Sequence, residues 1–175
     1  WGWGRPGWHA ECAAMALAVL GRGVDVLAGG EDLRYPHHAY QAALGEAATS
    51  TSPFTRSALH VGAVRRDGTK MAKSTGNLVL VSDLLQFTTP AAVRLLLLDR
   101  PWTTAWDYTD DLLSQAAARL ERLYTAAGRP SRSPTAQHAV TGALLDNLNV
   151  PRAVAIAEHD GGDAARHLLR VLALS

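Results

Sequence analysis

A chain of 175 residues, 47% of them apolar, with 17 basic and 16 acidic side chains and a net charge of +1, suits one globular domain or a large piece of one. The even charge balance and the lack of any long Lys/Arg run exclude a nucleic-acid-coating surface, and the apolar stretches fall short of a membrane span. A single cysteine excludes an intrachain disulfide and fits a reducing, cytoplasmic setting.

The chain opens on Trp1-Gly2-Trp3-Gly4 instead of Met, with none of the features of a signal peptide. It reads as a segment entered in mid-loop, the C-terminal part of a longer protein. Residues 9–20 are Ala-rich and stop at Gly21, which predicts a helix. Val24 to Leu27 predicts a short buried strand, broken by Ala28-Gly29-Gly30. Pro36 can begin the next helix, since its missing N–H costs nothing in a first turn, and that helix runs to about Ala48. After a polar loop over 49–53, Ala58 to Val64 predicts a second strand, turned by Arg65-Arg66-Asp67-Gly68. Val79 to Val81 is extended, and Ser82 or Asp83 caps a short helix. Thr89-Pro90 and Thr109-Asp110-Asp111 are start signals for helices over 91–98 and to about Ala127. A Gly/Pro/Ser linker over 128–134 precedes two or three helices around Asn149-Val150-Pro151 and Asp160-Gly161-Gly162. Strands alternating with helices, then helices alone, predict an α/β fold. The same order predicts the C-terminal half of a Rossmann-type domain over 1–85 and an α-helical region over 86–175, with the missing strands expected upstream.

Several residues carry candidate chemistry. Lys70-Met71-Ala72-Lys73-Ser74 places two flexible ammonium groups on a polar loop after Asp67-Gly68, which suits a polyphosphate; the bland reading is a solvated turn. Cys12 and His37 are residue types that bind zinc, or else a buried inert thiol and a helix-end imidazole. Gly30, Glu31 and Asp32 follow a strand, where open α/β sheets bind ligands; they also fit an ordinary strand-to-helix turn. Val64 offers backbone groups or is simply core, and Trp8 stands at the mouth of the first helix or anchors a surface with Trp1 and Trp3. His9 and Glu11 point to different helix faces and receive no role; His60, His138, His159 and His167 read as surface or helix-packing residues.

GRPGWHAEC (residues 4–12), GGEDL (29–33), YPHH (35–38) and KMAKSTGN (70–77), in this order, resemble class I cysteine-activating ligases, the family of cysteinyl-tRNA synthetases and mycothiol-type cysteine:glucosaminyl-inositol ligases. The resemblance is clear over about residues 4–125 and faint beyond. It implies a Rossmann-type catalytic domain with a KMSKS loop after its last strands, then a helical domain. It implies Zn2+ held by Cys12, His37 and a cysteine outside this chain, with the metal gripping the substrate thiol. Trp8 would pack over the bound cysteine, and Gly30, Glu31 and Asp32 would contact the cysteinyl-adenylate. Val64 would read adenine, while Lys70, Met71, Ala72, Lys73 and Ser74 would bind ATP, with Mg2+. Lys70, Lys73 and Ser74 would stabilise charge on the β- and γ-phosphates during attack on the α-phosphate. Ala72 replaces the middle Ser of KMSKS, losing a hydroxyl but no charge.

Gln41 stands where the synthetase pattern PHHENE has a further zinc-binding Glu, a residue that mycothiol-type ligases also lack. With GNLVLVSDL after the loop, and no basic stretch for a tRNA stem among the residues after Ser74, this favours the ligase branch. The expected function is ATP-dependent formation of cysteinyl-AMP and transfer of cysteine to glucosaminyl-inositol. The alternatives are a cysteinyl-tRNA synthetase fragment acting on tRNA, or a non-catalytic half-domain.

Overall fold

Packing within the chain groups it into two compact units, Trp1–Ala63 and Val64–Ser175. The computed structural model describes residues 2–5 and 7–175; Trp1 and Pro6, both cited in the opening motifs, lie outside the described residues.

In the first unit, α1 (Trp8–Leu20) stops at Gly21, whose φ of 85° suits a residue without Cβ. The strand β1 (Val24–Gly30) does not break at Ala28-Gly29-Gly30. Its pairing with β2 (Thr55–Val61) continues to Gly30↔Val61, so the parallel ladder overrides the local Gly signal, and the strand is half-exposed rather than buried. β2 begins ahead of the expected Ala58, because polar Thr55 and Ser57 still pair with Val24 and Val26. The helix expected from Pro36 begins later, as α2 (Ala39–Thr49). Tyr35 is extended (φ −142°, ψ 136°), the conformation that a following proline favours, so Arg34–His38 forms an irregular turn. Phe54, 1% exposed, lies on Gly45 of α2, where a Cβ would come within 2.3 Å of the ring.

In the second unit, β3 (Val64–Arg66) pairs antiparallel with β4 (Thr69–Lys70) and parallel with β5 (Trp106–Asp107). The expected 58–64 strand is therefore two strands in separate sheets, with Val64 opening the second. The connecting turn takes φ of 53° at Asp67 and 73° at Gly68, the left-handed pair that a two-residue hairpin demands and Asp-Gly supplies. The short helix α3 (Val81–Leu84) has Leu80 as its N-cap with no side-chain bond, so neither Ser82 nor Asp83 caps it.

Helices α4 (Pro90–Leu98) and α5 (Asp110–Ala127) start as expected, with the Thr89 and Thr109 hydroxyls accepting from Ala92 N and Leu112 N. Beyond the linker stand α6 (Ala136–Leu145), α7 (Val150–Asp160) and α8 (Gly162–Val171). They close with α4 and α5 around Leu95, Leu120, Leu123, Val140, Val154 and Leu168. A smaller apolar cluster of Val93, Leu96, Tyr108 and Leu113, packed against Val64, Met71 and Trp106, seats the small sheet on α4 and α5.

Candidate functional site

The KMAKS segment is shaped by the hairpin and by one amide. β4 ends at Lys70; Met71 turns into the apolar cluster, and Lys73–Thr75 forms a 3-10 turn closed by Gly76 at φ 65°. Asn77 ties the two ends together. Its Oδ1 accepts from Ala72 N (2.9 Å) and from the Thr75 hydroxyl (2.6 Å), and its Nδ2 donates to Lys70 O (3.3 Å). Lys70, Lys73 and Ser74 are thereby presented on the exposed side of a tethered loop, while Ala72 and Met71 are half-buried. A flexible cation on a tethered backbone can follow phosphate oxygens at little cost in ordering. The Val64 carbonyl accepts from Met71 N (3.3 Å), which leaves one of its lone pairs for another donor.

In the other unit, the carboxyl ends of β1 and β2 lie side by side in the parallel register, Gly29 opposite His60. Gly30 closes β1, and Glu31 and Asp32 follow directly in the 3-10 turn Glu31–Leu33. A Cβ on Gly30 would come within 2.5 Å of Asp32 Oδ1, so the absence of a side chain there lets the Asp32 carboxylate fold back on the strand end. Glu31 and Asp32 are exposed. Gly29 is close-packed against His38, whose Cε1 would be 2.9 Å from a Cβ.

Four imidazoles gather in this unit. His37 Nδ1 faces His9 Nδ1 at 2.8 Å, and His37 Nε2 faces the Gln41 amide nitrogen at 2.6 Å. With Gln41 donating, His37 carries its proton on Nδ1 and gives it to His9. Trp8 stacks over His37 with centroids 3.9 Å apart. Beside them, His38 Nδ1 and His60 Nε2 share a buried hydrogen bond of 2.9 Å. Burial lowers the pKa of His37, with His9 adding to the effect; burial lowers that of His38 too, helped by His60 and His37. His60 is thus not a surface or helix-packing residue but a buried strand residue, 8% exposed. It was illegible because its partner, the second His of the Pro-His-His run, lies on a different element.

Cys12 is a free, half-buried thiol on α1. A thiol and an imidazole are suitable zinc donors, but both ring nitrogens of His37 already have partners. Among the described residues no group of three or more His, Cys, Asp or Glu is arranged to hold a metal ion. Cys12 and His37 therefore do not by themselves make a zinc site. Among the described residues no helix is long and apolar enough to cross a membrane.

Residues 1–118 match the family model described as tRNA synthetases class I (C) catalytic domain. Among curated proteins, the chain is 45% identical over 170 residues to a protein of Thermobispora bispora named L-cysteine:1D-myo-inositol 2-amino-2-deoxy-alpha-D-glucopyranoside ligase, covering 94% of this chain and 42% of that protein. Proteins of the same name from Streptomyces griseus and Kineococcus radiotolerans are 45% and 47% identical over 161 residues, each covering 90% of this chain and 39% and 38% of theirs. The chain spans about two fifths of the length of these relatives. Two solved structures share the fold at a TM-score of 0.59 each. One is a leucyl-tRNA synthetase of Agrobacterium radiobacter K84 in ternary complex with tRNA and LeuAMS, 17% identical, covering 86% of this chain and 26% of that one. The other is described as an arginyl-tRNA synthetase of Campylobacter jejuni, 13% identical, covering 96% and 44%.

Proposed function

The chain belongs to the family of class I (C) tRNA synthetase catalytic domains, and from that footing we propose that the intact protein is an ATP-dependent, AMP-forming cysteine ligase of the mycothiol type. The observation that carries this reading is the identity of 45–47% over 90% or more of the chain to proteins named as ligases of cysteine and the aminoglucosyl inositol. In the first step the cysteine carboxylate attacks the α-phosphorus of ATP, forming cysteinyl-AMP and releasing pyrophosphate. In the second the acceptor amine attacks the cysteinyl carbonyl, loses a proton and displaces AMP.

Lys70 and Lys73 neutralise charge on the β- and γ-phosphates as pyrophosphate departs, with Ser74 donating a hydrogen bond and Mg2+ accompanying ATP. Met71 and Ala72 hold the loop backbone against the nucleotide, and the remaining lone pair of the Val64 carbonyl accepts from the adenine amine. Gly30, Glu31 and Asp32 receive the adenylate, with the exposed carboxylates accepting from ribose hydroxyls. Trp8 covers the cysteine. Cys12 and His37 would serve as Zn2+ ligands only together with donors outside this chain. Residues 1–85 are assigned to the catalytic domain and 86–175 to a helical region, and the protein to the cytoplasm.

A second reading, cysteinyl-tRNA synthetase, is favoured by the description of the family model. The test is an acceptor assay with the intact protein, cysteine and ATP. Transfer of cysteine to glucosaminyl-inositol but not to tRNA is expected; charging of tRNA alone would move the assignment to the second reading.

A further inference from the structure

The hairpin that carries the KMAKS loop presents a third cation. β3 and β4 pair with Arg65 directly opposite Lys70. Residues directly opposite in an antiparallel ladder share a face, with Cβ atoms about 4.5–5.5 Å apart. The other face is set by Val64 and Met71, which pack on the apolar cluster of Tyr108 and Leu113. Arg66 belongs to that other side, near enough to Tyr108 for its charge to act on the phenol. The alternation therefore leaves Arg65 and Lys70 together on the side turned away from the core, both exposed.

Asp107 pairs with Arg65 through the parallel register of β5. Its Oδ1 is engaged by Gly68 N at 2.7 Å, closing the Asp67-Gly68 turn. Among the described residues the Arg65 guanidinium has no ion pair. Its backbone, by contrast, is fixed: Arg65 O accepts from Tyr108 N at 2.8 Å. A planar fork on a rigid strand, on the same face as one lysine and just ahead of a second at Lys73, can take oxygens of an extended polyanion in a bidentate grip.

We propose that Arg65 is a third cationic contact for the polyphosphate of the nucleotide, acting with Lys70 from the same face of the hairpin. This rests on the ligase reading and deepens it. Arg65 supplies bidentate recognition that lysines lack, so it contributes to holding ATP and pyrophosphate more than to the rate of the chemical step.

The experiment compares intact wild-type protein with Arg65→Ala, Arg65→Lys and Lys73→Ala in cysteine-dependent ATP–pyrophosphate exchange, with thermal midpoints measured in parallel. Arg65→Ala is expected to raise KM for ATP and the inhibition constant of free pyrophosphate by about 5- to 20-fold. KM for cysteine should be unchanged and Arg65→Lys should restore part of the loss. If Lys73→Ala slows exchange while Arg65→Ala matches wild type in both phosphate constants, Arg65 is not a phosphate contact and the ligase reading stands. If Arg65→Ala alters only transfer to an acceptor, or tRNA binding, the proposal is overturned in favour of an acceptor contact. If wild-type protein shows no exchange, the ligase reading fails and takes the proposal with it.

Discussion

Asn77 is the residue whose importance is least visible in the sequence and most visible in the structure. It stands at the end of KMAKSTGN, yet its side chain bonds to Lys70, Ala72 and Thr75 together. Asn77→Ala removes bonds to both ends of the loop, each worth about 1 kcal/mol. It should lower the rate of adenylate formation on the order of 10-fold, since misplaced cations lose transition-state stabilisation. Asn77→Asp keeps the acceptor for Ala72 N and should lie between Asn77→Ala and wild type; equal rates for all three proteins would remove Asn77 from any positioning role. The lysines themselves were legible because their spacing is local. The imidazole pairs were not, because His9, the adjacent His37 and His38, and His60 come from three different segments and meet only after β1 and β2 pair. Gln41 shows the same limit. Its departure from a carboxylate was readable, but its bond to His37 was not.

At the scale of elements, what could be read was what local chemistry dictates. Thr89-Pro90 and Thr109-Asp110 cap α4 and α5 through hydroxyl bonds to nearby amides, and Gly21 ends α1 through its left-handed φ. What could not be read depends on a distant partner. β5 is only two residues long and exists because Val64 and Arg65 pair with Trp106 and Asp107. β1 runs through two glycines because β2 continues alongside it. The contact between α2 and the start of β2 gives a test. Gly45 lies mid-helix, where alanine would ordinarily gain about 1 kcal/mol. Here the Phe54 ring occupies the space a Cβ needs, and Phe54 N is also held by Glu46 Oε1 at 3.0 Å. Overpacking of this kind costs about 1–3 kcal/mol, so Gly45→Ala should lower the thermal midpoint despite its helix propensity. A midpoint raised by that substitution would show that the ring is not confined.

For the whole molecule, two units of different construction carry the four motif blocks. The first is a parallel strand pair with α1 and α2, whose interior is Phe54, Ala13 and a set of polar groups: His37, His38, Gln41 and His60. The second is a helical bundle with an apolar interior, from which a small sheet holds out the KMAKS hairpin. Arg119 of α5 locks the bundle by pairing with Asp99 after α4 and Glu158 on α7, a partly buried bridge that links three elements. The overall α/β class with a helical tail was legible from the order of strands and helices. The division near residue 63 was not, since it falls inside what reads as one apolar run. The most direct measurement is cysteine-dependent ATP–pyrophosphate exchange by the intact protein, beside the Lys70→Ala and Lys73→Ala variants with cysteine binding measured separately. Exchange that falls by about 100-fold in each variant, with cysteine affinity within a few-fold of wild type, is the expected result; exchange indifferent to both lysines, or none with cysteine in the wild type, would contradict it.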